Sequence, residues 1–457
     1  MGKFSMRHLL VVSVALNVSL LLRVAFETGT EGLDGVALLK QVVGGGVLAE
    51  LHAYRQTHKA TSSSSSSPST ATLVNYTEDR VINLDHGDPT MYTRYWQQAG
   101  DKSTIVIPGW QSVSYFSDIG NLCWFLEPEF AKQVLRLHQI VGNAVTRDRH
   151  IVVGTGSTQL FQAVLYALCP QDAIEPISVV SAAPYYSSYP AITDCVKSNL
   201  YKWAGDARSF SKGGPYIELV TSPNNPDGYS RQAVVNRTGG LLVHDLAYYW
   251  PQYTPITSPA DHDIMLFTIS KSIGHAGMRI GWAVVKDPEI AKKMVKYIEL
   301  STIGVSKDSQ VRAAKVLEVV SDSYECTKSV EETLFDFSYR KMNERWTPLR
   351  EAVEQSGLFS LPEFSPDFCK FSGRLFKPQP VMHLHTCMVR CAAFAWLKCE
   401  EPIEDCEAFL REHKILTRSG RHFGVSPEYV RISMLDRDEN IDLFIERLSK
   451  IGLEQPI

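Results

Sequence analysis

The stretch Phe267-Thr-Ile-Ser-Lys-Ser-Ile-Gly-His-Ala-Gly-Met-Arg-Ile-Gly-Trp282 decides how the rest of the chain is read. Residues 264–269 form an apolar run that reads as a buried strand. It delivers Ser270 and Lys271 onto a turn rich in small residues, where Gly274, Gly277 and Gly281 let the backbone pass close to whatever Lys271 holds. An unpaired ammonium is costly away from water. A lysine there is either an ordinary exposed residue beyond the strand, the commoner case, or one held covalently as an imine to a carbonyl cofactor. The residues upstream decide between the two.

Val220-Thr-Ser-Pro-Asn-Asn-Pro-Asp-Gly228 follows an apolar run over 217–220, and by itself is strong turn chemistry. Leu241-Leu-Val-His-Asp-Leu-Ala-Tyr248 is a second apolar strand carrying a carboxylate, Asp245, and a phenol, Tyr248, at its end. Ile151-Val-Val-Gly-Thr-Gly-Ser-Thr-Gln159 reads as strand, glycine turn and helix start. Such a turn can be purely structural, or it can cradle a phosphate on backbone N–H groups and the positive end of a helix.

In this order, a glycine cradle, an Asn-Pro turn, a strand-end Asp with Tyr three residues on, a lysine and then Arg279 resemble the pyridoxal-phosphate enzymes of aminotransferase fold type I. Asn83-Leu-Asp-His-Gly-Asp-Pro-Thr90, Tyr115-Phe-Ser-Asp118, Cys123-Trp-Phe-Leu-Glu-Pro128 and Gly274-His-Ala-Gly277 narrow the resemblance to the plant alliinase and tryptophan aminotransferase-related family, from about residue 81 to the C-terminus.

At 457 residues the chain is long enough for two packed domains plus extras. A net charge of -4 gives no electrostatic case for nucleic acid. Nine cysteines lie scattered without a CxxC pair, which is neither a zinc pattern nor a disulfide scaffold. Residues 9–22 are almost wholly apolar, preceded by Lys3, Arg7 and His8 and followed by Arg23. This is a little short for a spanning helix unless Arg23 snorkels and residues 24–26 extend it. Without a convincing small-x-small cleavage site, residues 1–28 are expected to be an uncleaved signal anchor, directing the chain to the endoplasmic reticulum membrane or the secretory route. Residues 29–75, with Gly44-Gly-Gly46 and a serine run over 62–67, are expected to be a disordered linker. No cysteine precedes Cys123, so the Cys-rich module that precedes the catalytic region in alliinases is not expected over 29–75. Asn75-Tyr-Thr77 and Asn236-Arg-Thr238 are glycosylation sequons.

From residue 83 strand and helix patterns alternate: strand over 104–107, helix over 126–141, strand over 151–153, helix over 159–169 and strand over 177–181. Strands over 217–220, 241–244, 264–269 and 281–285 follow, then helical periodicity over 290–317 and 332–355. The pattern predicts an α/β fold, with a mostly parallel sheet and ligands at strand ends. The resemblance makes this a large cofactor-binding domain, residues 76–325, whose first part contributes to a smaller α/β C-terminal domain, residues 326–457. The latter's strands are expected over 394–397 and 429–435, with a helix between them. Residues 375–391 look longer than the family's usual connection. His383, His385, Cys387 and Cys391 there have no standard metal spacing, so no metal is expected.

The resemblance implies pyridoxal 5'-phosphate as cofactor, carried by Lys271, whose free amine also moves the substrate proton. Asp245 is expected to keep the ring nitrogen protonated, and Asn225 and Tyr248 to hydrogen-bond the ring 3'-oxygen. The backbone N–H groups of Ser157 and Thr158, the hydroxyls of Thr268 and Ser270 and the Arg279 guanidinium are expected to hold the phosphate, with Gly156 in the cradle. Tyr115 is carried over as a cofactor contact, and a homodimer is implied because the two sites usually lie at the subunit interface. Arg431, in an alternating strand, suits a bidentate clamp on an α-carboxylate, with Arg418 and Arg421 as its neighbours. No indole site is assigned to Trp110, Phe116, Trp124 or Phe125, because aromatic side chains are more often core.

The implied activity is transamination of tryptophan or a similar aromatic amino acid, with pyruvate or another 2-oxo acid as acceptor, feeding auxin synthesis. The second reading is a carbon-sulfur lyase acting on S-alkyl cysteine sulfoxides, which shares every cofactor residue. A third is a silent, membrane-tethered binding protein, which the intact Lys271, Asp245, Tyr248 and Arg279 argue against.

Overall fold

The computed structural model describes residues 80–170, 174–235, 237–325, 332–362 and 392–453. The expected anchor and linker, the asparagines of both sequons and the 375–391 connection lie outside these residues. Among the described residues no helix is long and apolar enough to cross a membrane.

The chain enters on β1 (Ile82–Asn83), α1 (Thr93–Ala99) and α2 (Pro128–Val141), then runs through β2 (His150–Gly154), α3 (Gly156–Leu168), β3 (Ile177–Ser181) and α4 (Tyr189–Asp194). Next come β4 (Tyr201–Asp206), β5 (Tyr216–Thr221), β6 (Gly240–Asp245), β7 (Ile264–Thr268), the one-turn α5 (Ile269–Ser272) and β8 (Gly281–Val285). Strands β2 to β8 form one seven-stranded sheet in the order β2-β8-β7-β6-β5-β3-β4. Only β8 runs against the others, pairing antiparallel with both β2 and β7. The C-terminal ends of β2, β3, β5, β6 and β7 therefore share one edge, and Gly281 of β8 joins them through its pairing with Gly154 and Thr268. Central strands such as β5, β7 and β8 are buried throughout, as expected of strands covered on both faces.

The helices α6 (Pro288–Thr302), α7 (Lys307–Glu325) and α8 (Leu334–Ser356) follow. Asp287 starts α6 by accepting from the backbone N–H of Glu289 at 2.7 Å, with Pro288 in the first turn. The periodicity over 290–317 belongs to two helices, because Ile303 ends the first in a left-handed conformation, φ 52°.

A second sheet, β12-β13-β10-β9, is antiparallel throughout and is built from β9 (Phe359–Ser360), β10 (Phe394–Cys399), β12 (Arg418–Ser419) and β13 (Tyr429–Ser433). Between β10 and β12 lie α9 (Cys406–Glu412) and β11 (Ile415–Leu416), and α10 (Asp438–Leu453) closes the chain. A disulfide joins Cys399 to Cys406, a pairing the scattered cysteine pattern did not suggest. Strand β1 pairs parallel with β11, Leu84 N–H continues this contact by donating to the Leu416 carbonyl at 2.9 Å, and the Leu84 carbonyl accepts from Ser433 N–H of β13, also at 2.9 Å. Residues 85–87 are thereby laid across the gap between the two sheets.

One expectation fails. Residues 104–107 form no strand: the segment is extended, but Val106 is exposed and no neighbouring strand offers a ladder. Strand β4 was not foreseen, since its Tyr-Lys-Trp-Ala-Gly-Asp run is half-exposed at the sheet edge and carries only a weak apolar signal.

Candidate active site

Lys271 occupies the single helical turn that follows β7, rather than the strand itself. Thr268 caps this turn through its side-chain oxygen, which accepts from Ser270 N–H at 3.2 Å. The lysine points into a cavity of about 230 Å3 at the shared strand edge. Its amine donates to the Gly87 carbonyl, and no carboxylate pairs with it among the described residues. Burial, then the Arg431 charge and last the Arg279 charge pull its pKa down to about 8, with Asp88 opposing them more strongly than Arg279 acts. At neutral pH this ammonium can lose its proton far more readily than a surface lysine.

Asp245 ends β6 across the cavity. It accepts from the Tyr189 hydroxyl at 2.9 Å and from Ala247 N–H at 3.1 Å. No cation faces it among the described residues, and burial raises its pKa. Tyr248 and Asn225 line the same cavity, and burial raises the Tyr248 pKa too. Asn225, on the Pro-Asn-Asn-Pro turn after β5, also accepts from Arg431 at 3.1 Å. Its neighbour Asn224 is structural, holding Pro184 and Asp227.

At the other end of the cavity lies the glycine turn. Gly156 has φ 72°, and a Cβ there would collide with the Arg279 guanidinium. Arg279 itself sits at φ 55°, unusual for a non-glycine residue and of a kind concentrated at functional sites. It donates to the Ala276 carbonyl at 2.9 Å, lies 3.5 Å from Ser270 Oγ, and has no carboxylate partner among the described residues. Gly281 is required for a different reason: its missing Cβ lets β8 lie against the Gly156–Ser157 backbone, 2.8 Å from where that atom would be. Ser157 and Thr268 line the cavity beside this turn, and Ser270 is buried next to them.

Arg431, on β13, is only 4% exposed. It donates to the Asp85 carbonyl at 2.6 Å and to Asn225, and its guanidinium lies 4.3 Å from the Phe394 ring centre. Its Nε has no partner and no carboxylate neutralises it; burial lowers its pKa to about 10. Arg418 also lines the cavity but is gripped by both oxygens of Asp85. Arg421 is exposed and pairs with Asp405, away from the cavity.

Lys271, Asp245, Tyr248, Asn225, Ser157, Thr268 and Arg431 thus meet around one cavity, with Gly156, Ser270 and Arg279 packed at its edge. One expectation is corrected: Gly277 meets no close neighbour, so it serves no tight approach. The Thr158 side chain is exposed and outside the cavity lining, which does not bear on the part expected of its backbone N–H. Tyr115 is 70% exposed and is not among the residues of this chain that line the cavity. Tyr189, Gly87, Phe394 and the Asp85 carboxylate were missed. Tyr189 sits in an undistinguished Tyr-Tyr-Ser-Ser-Tyr run, and the others belong to segments whose position only the tertiary fold supplies.

The donor set fits a phosphorylated pyridine aldehyde. An unneutralised guanidinium beside a helix N-terminus stands at one end, an uncompensated carboxylate at the other, and a primary amine of lowered pKa between them. With this sheet order, these features define the class: the fold is that of the pyridoxal-phosphate-dependent aminotransferases. Among solved structures, an aminotransferase from Staphylococcus aureus matches with TM-score 0.56 at 19% identity, covering 82% of this chain and 94% of that one. Aspartate aminotransferase from Thermus thermophilus, solved with maleate, matches with TM-score 0.55 at 17% identity, covering 81% and 92%. A family model described as Allinase matches residues 82–452, and the chain belongs to that family. It is 58% identical to tryptophan aminotransferase-related protein 2 of Arabidopsis thaliana over 455 residues, 97% of either chain. It is 36% identical to alliin lyase of Allium cepa var. aggregatum over 366 residues, 78% of either chain.

Proposed function

We propose that this protein is a pyridoxal-phosphate-dependent aminotransferase that moves the amino group of tryptophan, or a similar aromatic amino acid, to pyruvate or another 2-oxo acid. In the plant setting that the relatives suggest, its product would be indole-3-pyruvate for auxin synthesis. The observation that carries the reading is Arg431: a buried guanidinium with a free Nε and no carboxylate, in the same cavity as Lys271. A planar fork of this kind suits the α-carboxylate common to donor and acceptor. When bound, the cofactor supplies an electron sink for the bond electrons released at Cα. Asp245 would hold a proton on its ring nitrogen, Asn225 and Tyr248 would bond its 3'-oxygen, and Arg279, Ser157, Thr268 and Ser270 would hold its phosphate. The Lys271 amine, with its lowered pKa, moves the Cα proton. Indole-3-pyruvate and alanine formed from tryptophan and pyruvate by the purified protein test this reading, and inactivity with both substrates present refutes it.

The second reading is an alliinase-type lyase, favoured by the similarity to alliin lyase. It shares the same first proton loss, and S-alkyl cysteine sulfoxide cleavage outpacing transamination would establish it.

A homodimer belongs to the proposal. Val106, Trp110, Val113, Tyr115, Phe116 and Ile119 expose a run of apolar side chains over one segment, as an interface does. A second copy packed there would bring its Tyr115 to this chain's cofactor. Light scattering at the monomer mass would remove this part. Membrane attachment through residues 1–28, at the endoplasmic reticulum or along the secretory route, rests on the apolar run over 9–22. Deleting residues 1–26 should release active protein to the soluble fraction, and continued membrane association would point to another anchor.

A further inference from the structure

Two arginines face the carboxylate end of the cavity, and they are directly opposite one another. Arg418 of β12 and Arg431 of β13 are register partners in an antiparallel pair. Residues so placed project to the same face with Cβ atoms about 5 Å apart, and like charges there repel. Such a pair depends on a nearby anion: Arg418 is among the charges that lower the pKa of Arg431, whereas the Asp85 contact raises that of Arg418. The anion is Asp85. Its two carboxylate oxygens hold Nε and Nη2 of Arg418, while Ser187 Oγ takes Nη1 at 3.3 Å. The same residue's carbonyl accepts from Arg431 Nη2. One residue therefore neutralises the first arginine and orients the second without neutralising it.

The charged groups around this end are few. His86 is exposed at the rim, Asp88 lies on the far side of Gly87, and Lys271 faces Gly87. Asp405, which holds Arg421, is outside the cavity. Asp85 is thus the one carboxylate among the described residues in ion-pair contact with either cavity arginine. Its pKa lies below the usual carboxylate value, because the Arg418 contact outweighs the cost of burial, so it stays charged at neutral pH.

We propose that Asp85 is a positioning residue that sets substrate class: by occupying Arg418 it leaves one free guanidinium, so the site takes monocarboxylic amino and 2-oxo acids and discriminates against dicarboxylic ones. This rests on the reading of Arg431 as the carboxylate clamp. A second carboxylate on a ligand would need Arg418, whose donors are already engaged, and would meet the Asp85 charge instead. Without the Asp85 charge, Arg418 would be a second clamp one strand away from the first. The selectivity comes as much from an element that repels as from one that attracts.

The test uses the full chain loaded with cofactor and two unreactive ligands that differ by one carboxylate, succinate and butanoate. Their dissociation constants are read by calorimetry and by the change in cofactor absorbance. In the native protein succinate should bind no tighter than butanoate; succinate binding about tenfold tighter overturns the proposal without any variant. In Asp85→Asn, which keeps the backbone carbonyl, the succinate-to-butanoate affinity ratio should shift toward succinate by about tenfold or more, the worth of a charge-assisted contact. The shift should vanish in the Asp85→Asn, Arg418→Gln double variant. An unchanged ratio in the single variant, or a shift that survives in the double one, overturns it. A merely structural role for Asp85 would weaken both ligands together and leave the ratio alone. Arg431→Gln reports separately on the clamp: if neither ligand weakens there, the clamp reading fails, and the ratio in Asp85→Asn still decides what Asp85 does.

Discussion

The Tyr189 hydroxyl donates to the Asp245 carboxylate at 2.9 Å while lying 2.6 Å from Thr221 Oγ1. A phenol has one proton, so if Asp245 receives it, Thr221 must donate to Tyr189. Thr221 and Asp245 are register partners at the ends of β5 and β6, which is why one phenol can reach both. The chain fixes the carboxylate's direction this way without neutralising it. Tyr189→Phe should keep the fold and the bound cofactor but lower kcat by about ten- to hundredfold, the range expected when a hydrogen bond to a charged group is lost. An unchanged kcat would show that Ala247 N–H alone suffices to orient Asp245.

Asp245→Asn removes the charge and keeps the shape. A neutral amide stabilises a ring cation far less than a carboxylate does. Cofactor should still bind through Arg279 and the glycine turn, with activity down by at least about a hundredfold, since leaving a buried charge without its partner costs several kcal/mol. Near-native turnover in this variant would mean that the ring nitrogen lies elsewhere.

Lys271 titrates unusually low. In the cofactor-free protein its ammonium dominates below its pKa of about 8 and its free amine above it, whereas an ordinary lysine stays protonated two units higher. Labelling of Lys271 by an amine-reactive reagent, followed by peptide mass spectrometry, should rise with pH and level off just above 8. A rate still climbing at pH 10 would contradict the burial and charge environment described. In the loaded protein, Lys271→Ala should abolish the borohydride-reducible linkage altogether.

Arg431→Lys retains charge and loses the fork. The cofactor spectrum should be normal, because the arginine faces the ligand end of the cavity rather than the glycine turn. KM should rise at least about tenfold for both amino donor and 2-oxo acceptor, consistent with the loss of a charge-assisted bidentate contact. A rise confined to one of them would mean that the two substrates do not share a single carboxylate site.

Much of this site could be read from the sequence because it sits where strands end. Lys271, Asp245, Asn225 and Ser157 each follow an apolar run whose length and composition mark a buried strand, and the turn chemistry supplies the rest. Asp85 and Tyr189 could not be read in that way. Asp85 reaches the cavity only because β1 pairs with β11, two residues against two, more than 300 positions away in the chain. Tyr189 reaches it through the packing of α4 beneath the sheet edge, which no local pattern encodes. The extended segment over 104–107 failed for the complementary reason: β-forming residues make a strand only where another strand is present to pair with them.

If one clamp and one lysine serve both halves of a transamination, cofactor-loaded protein given tryptophan alone, with no 2-oxo acid, can complete only the first half. The expected result is one equivalent of indole-3-pyruvate per active site and then arrest, with turnover resuming when pyruvate is added. Continued release of ammonia from tryptophan without an acceptor, or no indole-3-pyruvate in the first turnover, would contradict it.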